Sequence, residues 1–570
     1  MTSDYHHISD SQPPSLTVRL AWIFLILATL YFCYFHNLGA FGFVGPDEPR
    51  YAWIARDMAE SGDWVTPRLY GHPWFEKPPL FYWGAAINFK LCGVNEAAAR
   101  LPSAISALLA TLAMAWLAWR LYGAETVRWL LLLLPTTVGM IGFSHAAATD
   151  MPFSAMLTVA MVFAASIIGL TRNENSPILR RTPWLALIFF GFFLGLAVLA
   201  KGPAAIILSG GAVVLWAVFT KRWRDAFRCL HPVAIASFCL TALPWYVLCS
   251  RRNPEFFRVF IIEHNFKRFL TPEFQHIQPF WFYIPIILVA LFPWTMFMAS
   301  VKIDALRDWQ NRRASRASFL FLVSWALFPI VFFSISQSKL PGYVLPALPP
   351  LVVLFADAVG RYARADERAP RWPMLAMAAA FLLIGLVILR ESAKLPALLC
   401  VSPTCGITGI WAFAIGGGVV IGLLAAVRRC RLSLLAVVLA VLILVLKINR
   451  FLPNMDPGIS ARDSARVAKA VWPDFSPRQA ATWQLNRAFT YQLNFYLGSD
   501  IPEWKPADSN ANWIFAPKNR VPALMENGIE CVKFAIYPAV VPCRLPNSAE
   551  DLGFFSGFRG SDNLGDHQNR

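Results

Sequence analysis

The chain has 570 residues, of which 57% are hydrophobic and only 15% charged, against about 25% charged in soluble domains. That composition excludes a soluble globular fold and points to a polytopic membrane protein. The formal net charge of +17 raises a nucleic-acid partner, until the basic residues are assigned to sides of a membrane.

Polar residues 1–17 precede a first apolar run that is too long for the h-region of a signal peptide. No small-residue cleavage site follows, so no cleavable leader is expected. Apolar runs then recur near 20–38, 101–119, 127–146, 152–170, 183–199, 203–219, 230–249, 280–300, 318–335, 342–359, 373–389, 406–427 and 432–447. A bilayer core takes about 20 apolar residues per helix, which makes thirteen candidate spans. With the N-terminus cytoplasmic, the even-numbered loops lie inside. They are short and basic, as with Arg120 and Arg128, with Lys221, Arg222, Arg224 and Arg228, and with Arg361, Arg364, Arg368 and Arg371. This is the positive-inside pattern. Most of the net charge is therefore topogenic, and no nucleic-acid reading is needed.

Two outer loops differ in kind. The first (39–100) and the fourth (250–279) are long, mixed in charge and rich in aromatics. Within the first, 48–61 and 79–92 have the amphipathic spacing of helices that lie along an interface. After residue 447 the chain turns polar. A helix near 460–471 and β-prone stretches at 489–496, 513–516 and 531–537 suggest a compact α/β domain over 450–570 on the outer face, following a membrane domain over 1–449. Disulfides persist in that compartment, so Cys531 with Cys543 and Cys400 with Cys405 are expected pairs.

The outer-face polar residues form a restricted set. Loop one supplies Asp47, Glu48, Arg50, Tyr51, Arg56, Glu76, Lys77 and Tyr82. His145, Thr149 and Asp150 follow the third span, and Lys201 sits in a Lys-Gly-Pro break. Loop four adds His264 and Arg268, and the ninth span ends before Lys339 and Tyr343. The span interiors hold almost no ionisable groups, whereas ion-coupled transporters usually keep them at mid-membrane. A polar site at one interface suits an enzyme acting on a lipid-linked substrate, with Lys77, Lys201, Arg268 and Lys339 as cations for a phosphate. Glu48 with Arg50 or Arg56 can equally be a structural ion pair. Lys201 can be a snorkelling residue. Glu76 and His264 are two metal ligands without a spaced third, so no cofactor is required and a divalent zinc or magnesium ion is a weak option.

Gly45-Pro46-Asp47-Glu48-Pro49-Arg50-Tyr51, Gly62-Asp63-Trp64 and Glu76-Lys77-Pro78-Pro79 resemble the first outer loop of the lipid A aminoarabinose transferases, within the protein-mannosyltransferase-like proteins of GT-C fold. Asp150-Met151-Pro152, Lys201-Gly202-Pro203, His264-Asn265-Phe266-Lys267-Arg268 and Ser338-Lys339-Leu340-Pro341-Gly342-Tyr343 are similar to later motifs of that family, in the same order. The likeness covers roughly 18–450. It implies an inverting glycosyltransferase of the bacterial inner membrane, moving 4-amino-4-deoxy-L-arabinose from undecaprenyl phosphate to a lipid A phosphate on the periplasmic face. In that family such transfer gives resistance to cationic peptides. Lys77, Arg268 and Tyr343 are then the first candidates for the donor phosphate, with Lys201, Lys339, Arg50, Tyr51 and Tyr82 around the donor. Asp47, Glu48, Asp150 and Lys77 are the catalytic candidates. The role of Asp47 stays open between a base and a site for the sugar's amino group, since a phosphate acceptor is already ionised. The alternatives are a polyprenyl-phosphate-hexose transferase acting on protein Ser/Thr, and a polyprenyl-lipid flippase.

Overall fold

The computed structural model describes residues 15–171, 184–267, 278–298, 313–392, 408–504, 511–534 and 538–545. The chain is a polytopic helical protein whose apolar runs fall on helices in the expected order. These are α1 (Leu16–Tyr34), α2 (Asp47–Ser61), α3 (Leu80–Cys92), α4 (Glu96–Tyr122), α5 (Ala124–Leu133), α6 (Val138–Ser144) and α7 (Asp150–Ile167). Then come α8 (Trp184–Lys201), α9 (Ala204–Thr220), α10 (Trp223–Ala226) and α11 (Pro232–Arg252). Next are α12 (Tyr283–Ala290), α13 (Arg313–Ile335), α14 (Leu348–Ala365), α15 (Trp372–Glu391), α16 (Thr408–Ala426) and α17 (Cys430–Ile459).

Among the described residues ten helices are long and apolar enough to cross a bilayer, and the number is eleven if α5 and α6, bent by 61°, are taken as one span. The expected thirteen differ from this at two places. The run at 203–219 forms α9, only 17 residues long. The run at 280–300 breaks after eight helical residues and continues as a short 3₁₀ turn, Trp294–Phe297. Two prolines interrupt that run, Pro285 near its start and Pro293 at the break, and a proline removes a helical donor. Helix α7 is the central strut, buried along nearly its whole length between α4, α8 and the 3₁₀ segment Pro341–Ala347.

Loop one folds as the spacing suggests. Helix α2 lays Tyr51, Ala52, Ala55 and Met58 against Phe81, Tyr82, Ala85 and Phe89 of α3. Both helices end at a glycine in the positive-φ region, Gly62 at φ 73° and Gly93 at φ 79°, where a Cβ would be strained. The next helix, α4, starts at Asn95, whose side chain accepts the Ala98 amide at 2.8 Å, an N-cap.

Beyond α17 come α18 (Arg462–Val471), α19 (Arg487–Leu497) and α20 (Val521–Glu526), with strands β3 (Ala480–Thr482), β4 (Trp513–Pro517), β5 (Glu530–Cys531) and β6 (Val540–Arg544); β1 (Arg68–Leu69) and β2 (His72–Pro73) are a small hairpin in loop one. The four later strands form one sheet in the order β3-β4-β6-β5, parallel at β3-β4 and antiparallel elsewhere. The stretch 489–496, expected as β-prone, is instead helix α19. Asn486 caps it through the Phe489 amide at 3.0 Å and Gly498 closes it at φ 72°. Its aromatics then fall at helical spacing, with Phe495 against Phe43 of loop one. Cys531 and Cys543 are bonded to each other; Cys400 and Cys405 lie outside the described residues.

This C-terminal portion is seated on loop one by polar contacts. The Gly42 amide donates to Asp456 at 2.7 Å and the Phe43 amide to the Tyr496 hydroxyl at 2.8 Å. Tyr496 in turn donates to Glu96 at 3.1 Å, and Arg462 bridges Glu96 and Asp456. Gly42 has to be glycine, because a Cβ there would sit 2.0 Å from Ser460 Oγ. Overpacking of this kind costs roughly 1–3 kcal/mol. Gly42→Ala should therefore loosen the seat, read as faster limited proteolysis between α18 and β4; cleavage at the wild-type rate would contradict the contact.

Candidate active site

Glu48 and Asp47 are neighbours in sequence and have opposite surroundings. Glu48 is buried and its two oxygens take four donors: Val44 N at 2.9 Å, Ala147 N at 2.7 Å, and Arg100 Nε and Nη2 at 3.1 and 2.9 Å. Arg100 is fully buried and uses its whole fork, since Nη1 donates to the Leu38 and Phe41 carbonyls and Nη2 also to Gly42. All five guanidinium donors are thus satisfied. This corrects two expectations. Glu48, expected among the catalytic carboxylates, spends both oxygens on a buried strut, and its ion-pair partner is Arg100 rather than Arg50 or Arg56. Arg56 instead pairs with Glu60 at 2.6 Å and reaches the Phe495 carbonyl.

The strut fixes residues 38–48 to the start of α4. Through Ala147 it also fixes the turn leading into Asp150. Two ion-pair clusters hang from it.

The first lies within loop one. Arg50 Nη2 donates to Asp47 Oδ1 at 2.5 Å and approaches Glu76 Oε2 at 3.0 Å, while Lys77 Nζ stands 3.4 Å from Glu76 Oε1. The Arg50 guanidinium lies 5.3 Å from the Tyr51 ring, 5.4 Å from Trp74 and 6.0 Å from Tyr491 of α19. Burial works against the Arg50 charge, but Glu76 and Asp47 more than offset it and hold the guanidinium well above its usual range. Burial first, then Glu76 and Asp47, push the Tyr51 phenol well up, and burial and Glu76 do the same for Tyr82, so both are neutral donors. Asp47, by contrast, leaves 55% of its side chain exposed, and the hydroxyl of Tyr82 and Nε of Arg50 have no hydrogen-bond partner among the described residues. An accessible carboxylate beside buried, unfilled donors is a layout suited to a polar ligand.

The second cluster lies at the span ends. Lys201 Nζ meets Asp150 Oδ1 at 2.5 Å and lies 4.7 Å from the Tyr343 ring. Gly342 lets the backbone pass so closely that a Cβ would fall 2.2 Å from Asp150 Oδ1. Lys201 is therefore more than a snorkelling residue. Lys339 differs from expectation: it is buried, donates to the Ser336 carbonyl at 2.6 Å, and burial lowers its pKa. It serves its own turn. Arg268 and the His264 side chain lie outside the described residues. Glu76 faces two cations where a metal would have to sit, and among the described residues no three His, Cys, Asp or Glu side chains converge.

Loop one and the segment after α11 pack together. Asn253 donates to Thr66 Oγ1 at 3.0 Å, the Trp245 indole to the Val65 carbonyl at 2.9 Å, and the Phe75 and Phe256 rings meet edge-on at 5.2 Å. Arg100, Trp74 and Tyr491 are the residues that sequence reading missed. Arg100 resembles an ordinary flanking charge of the second span, and Tyr491 belongs to a segment with the composition of a strand.

Arg100→Met should leave the Glu48 carboxylate buried and unpaired, at a cost of about 3–5 kcal/mol. Thermal unfolding in detergent should show the loss, and adding Glu48→Gln should recover part of it; an unchanged midpoint for Arg100→Met would contradict the strut.

The family model described as dolichyl-phosphate-mannose-protein mannosyltransferase matches residues 20–260. An undecaprenyl phosphate-alpha-4-amino-4-deoxy-L-arabinose arabinosyl transferase of Edwardsiella ictaluri is 33% identical over 365 residues, 64% of this chain and 62% of that one. One from Pseudomonas aeruginosa is 33% identical over 343 residues, 60% of each. The matched part of the chain thus spans less than two thirds of those relatives' length. The crystal structure of ArnT from Cupriavidus metallidurans bound to undecaprenyl phosphate superposes with a TM-score of 0.71 at 22% identity, covering 93% of this chain and 99% of that one. The fold is therefore shared over nearly the whole chain. By sequence the chain is thus similar to arabinosyl transferases over part of its length, and by structure it has the fold of the Cupriavidus metallidurans ArnT.

Proposed function

We propose that the protein transfers 4-amino-4-deoxy-L-arabinose from undecaprenyl phosphate to a phosphate of lipid A, on the periplasmic side of the bacterial inner membrane. The N-terminus is then cytoplasmic, and residues 450–570 form a periplasmic domain over a membrane domain of 1–449. The observation that carries the reading is the Asp47–Arg50–Glu76–Lys77 cluster, seated by a buried strut at an outer helix end in a chain similar to arabinosyl transferases.

In this reading an oxygen of the acceptor phosphate attacks the anomeric carbon as the bond from that carbon to the donor phosphate breaks, with inversion. The electron pair leaves with undecaprenyl phosphate, which departs as a dianion, while the acceptor phosphate becomes a diester. Charge balances without a net proton transfer, so no general base is needed. What the reaction needs is fixed positive charge at the departing phosphate. We assign that role to Lys77 and Arg268, with Tyr343 and Lys201 as further candidates and Tyr51 and Tyr82 as neutral donors to the sugar. Asp47, the accessible acid, takes the sugar's ammonium group and orients it. Asp150 holds Lys201.

The test is a proteoliposome assay with defined donors and acceptors, read by mass. Aminoarabinose from its undecaprenyl phosphate donor should appear on lipid A, and Lys77→Ala should slow transfer by about 10²–10³-fold, as for other single oxyanion-stabilising groups. Transfer of a hexose to a Ser/Thr peptide, or movement of the donor across the membrane without cleavage, would overturn the proposal.

A further inference from the structure

A cleft of about 510 Å³ opens between the β2 end of loop one and the first residues after α11. Its lining has two halves. Pro73, Trp74, Phe75 and Val259 give an apolar floor, and Arg252, Glu255 and Arg258 stand on the rim with Asn253. Glu76 closes one end and shares its carboxylate with Arg50 and Lys77, so the cleft abuts the cluster described above. The volume is that of a site for a small-molecule headgroup.

The position of the cleft restricts what can fill it. Arg252 is the last residue of a span, which sets it at headgroup level, with exposed Val247 and Leu248 before it in the same helix and exposed Phe257 and Ile262 soon after it. An occupant can therefore enter sideways with its chains still in the lipid. The charges restrict it further. Arg252 leaves 56% of its side chain exposed and makes one ion pair among the described residues, from Nη1 to Asp63 at 3.1 Å, so Nε and Nη2 have donors to spare. Burial resists the Asp63 charge, but the Val65 and Thr66 amides, Arg252 and Arg68 outweigh it and pull its carboxyl below the ordinary range, so Asp63 stays a fixed anchor. Arg258 is 61% exposed, and its partners among the described residues are Glu255 and Glu263 on its own segment. Exposed pairs of this kind contribute little and exchange readily. A planar guanidinium prefers a bidentate phosphate. Trp74, on the floor, also keeps an indole N–H with no acceptor among the described residues.

We infer that this cleft is the acceptor subsite: it holds the phosphorylated sugar headgroup of the acceptor lipid, with Arg252 and Arg258 on a phosphate and the sugar ring on Trp74. The inference rests on the transferase reading for the identity of the occupant, and it separates the acceptor from the donor, whose phosphate lies at Lys77. Arg252 and Arg258 bind and position; neither touches the bond that breaks.

Two measurements on the full chain in nanodiscs of zwitterionic lipid test it. In the first, binding of lipid A is compared with that of its dephosphorylated form. The wild type should prefer the phosphorylated lipid by about tenfold or more, the size expected for one or two charge-assisted contacts. Arg252→Gln with Arg258→Gln should abolish that preference, Arg252→Lys with Arg258→Lys should keep part of it, and undecaprenyl phosphate should bind all three proteins equally. This readout does not depend on transfer, so it stands even if the sugar or the reaction is other than proposed. In the second, the double Gln variant should raise the acceptor KM about tenfold and leave the donor KM and kcat near wild type. Equal binding of both lipid forms by the wild type, an unchanged preference in the double Gln variant, or a loss confined to undecaprenyl phosphate would overturn the subsite.

Discussion

One buried guanidinium carries the architecture around the candidate site. Arg100 satisfies all of its donors with Glu48 and the Leu38, Phe41 and Gly42 carbonyls, and Glu48 accepts two further bonds from backbone amides. A charge taken out of water is tolerated only when paired and fully hydrogen-bonded. The pair therefore constrains at once the exit of α1, the start of α2, the start of α4 and the turn before α7. The same segment offers Gly42 and Phe43 amides to the C-terminal portion, so the seat of that portion depends on the same strut.

The strut divides the labour between two adjacent carboxylates. Because Glu48 is consumed by Arg100, Asp47 at the preceding position faces the other way and keeps half of its surface accessible. Arg50 then ties Asp47 to Glu76, and so brings the two motifs of loop one to one place. Tyr491 from α19 completes the aromatic surround of Arg50. The site is thus built from both ends of the chain, and the C-terminal portion is part of its wall.

Much of this is legible in the residues alone, and the misses have physical causes. Most of the spans follow from length and apolarity, helices α2 and α3 from their spacing, and the Cys531–Cys543 bond from sequence proximity and the expected compartment. The grouping of Asp47, Arg50, Glu76 and Lys77 is legible because the span interiors hold almost no ionisable groups while loop one is dense in both signs of charge. The partner of Glu48 is not, because Arg100 lies 52 residues away and a charge flanking an apolar run looks topogenic whether it is buried or not. Helix α19 reads as a strand because Phe, Thr and Tyr favour strands intrinsically, whereas Asn486 and Gly498 at its ends are the stronger local signal. Lys339 carries a cation's promise that a neighbouring carbonyl absorbs, which no spacing reveals. Arg268 keeps its place in the proposal on sequence grounds.

The different fates of Asp47 and Glu48 are the central claim. The direct measurement is to compare Asp47→Asn and Glu48→Gln as purified full-length proteins, recording the thermal midpoint and the single-turnover transfer rate on the same preparations. Glu48→Gln is predicted to lower Tm by roughly 5 °C, as expected for a few kcal/mol lost from a buried ion pair, with transfer falling only as the folded fraction falls. Asp47→Asn should keep the wild-type Tm and lose at least about tenfold in rate, the lower range for an orienting charged contact. A stable Glu48→Gln protein with no transfer, alongside an Asp47→Asn protein that works normally, would contradict it.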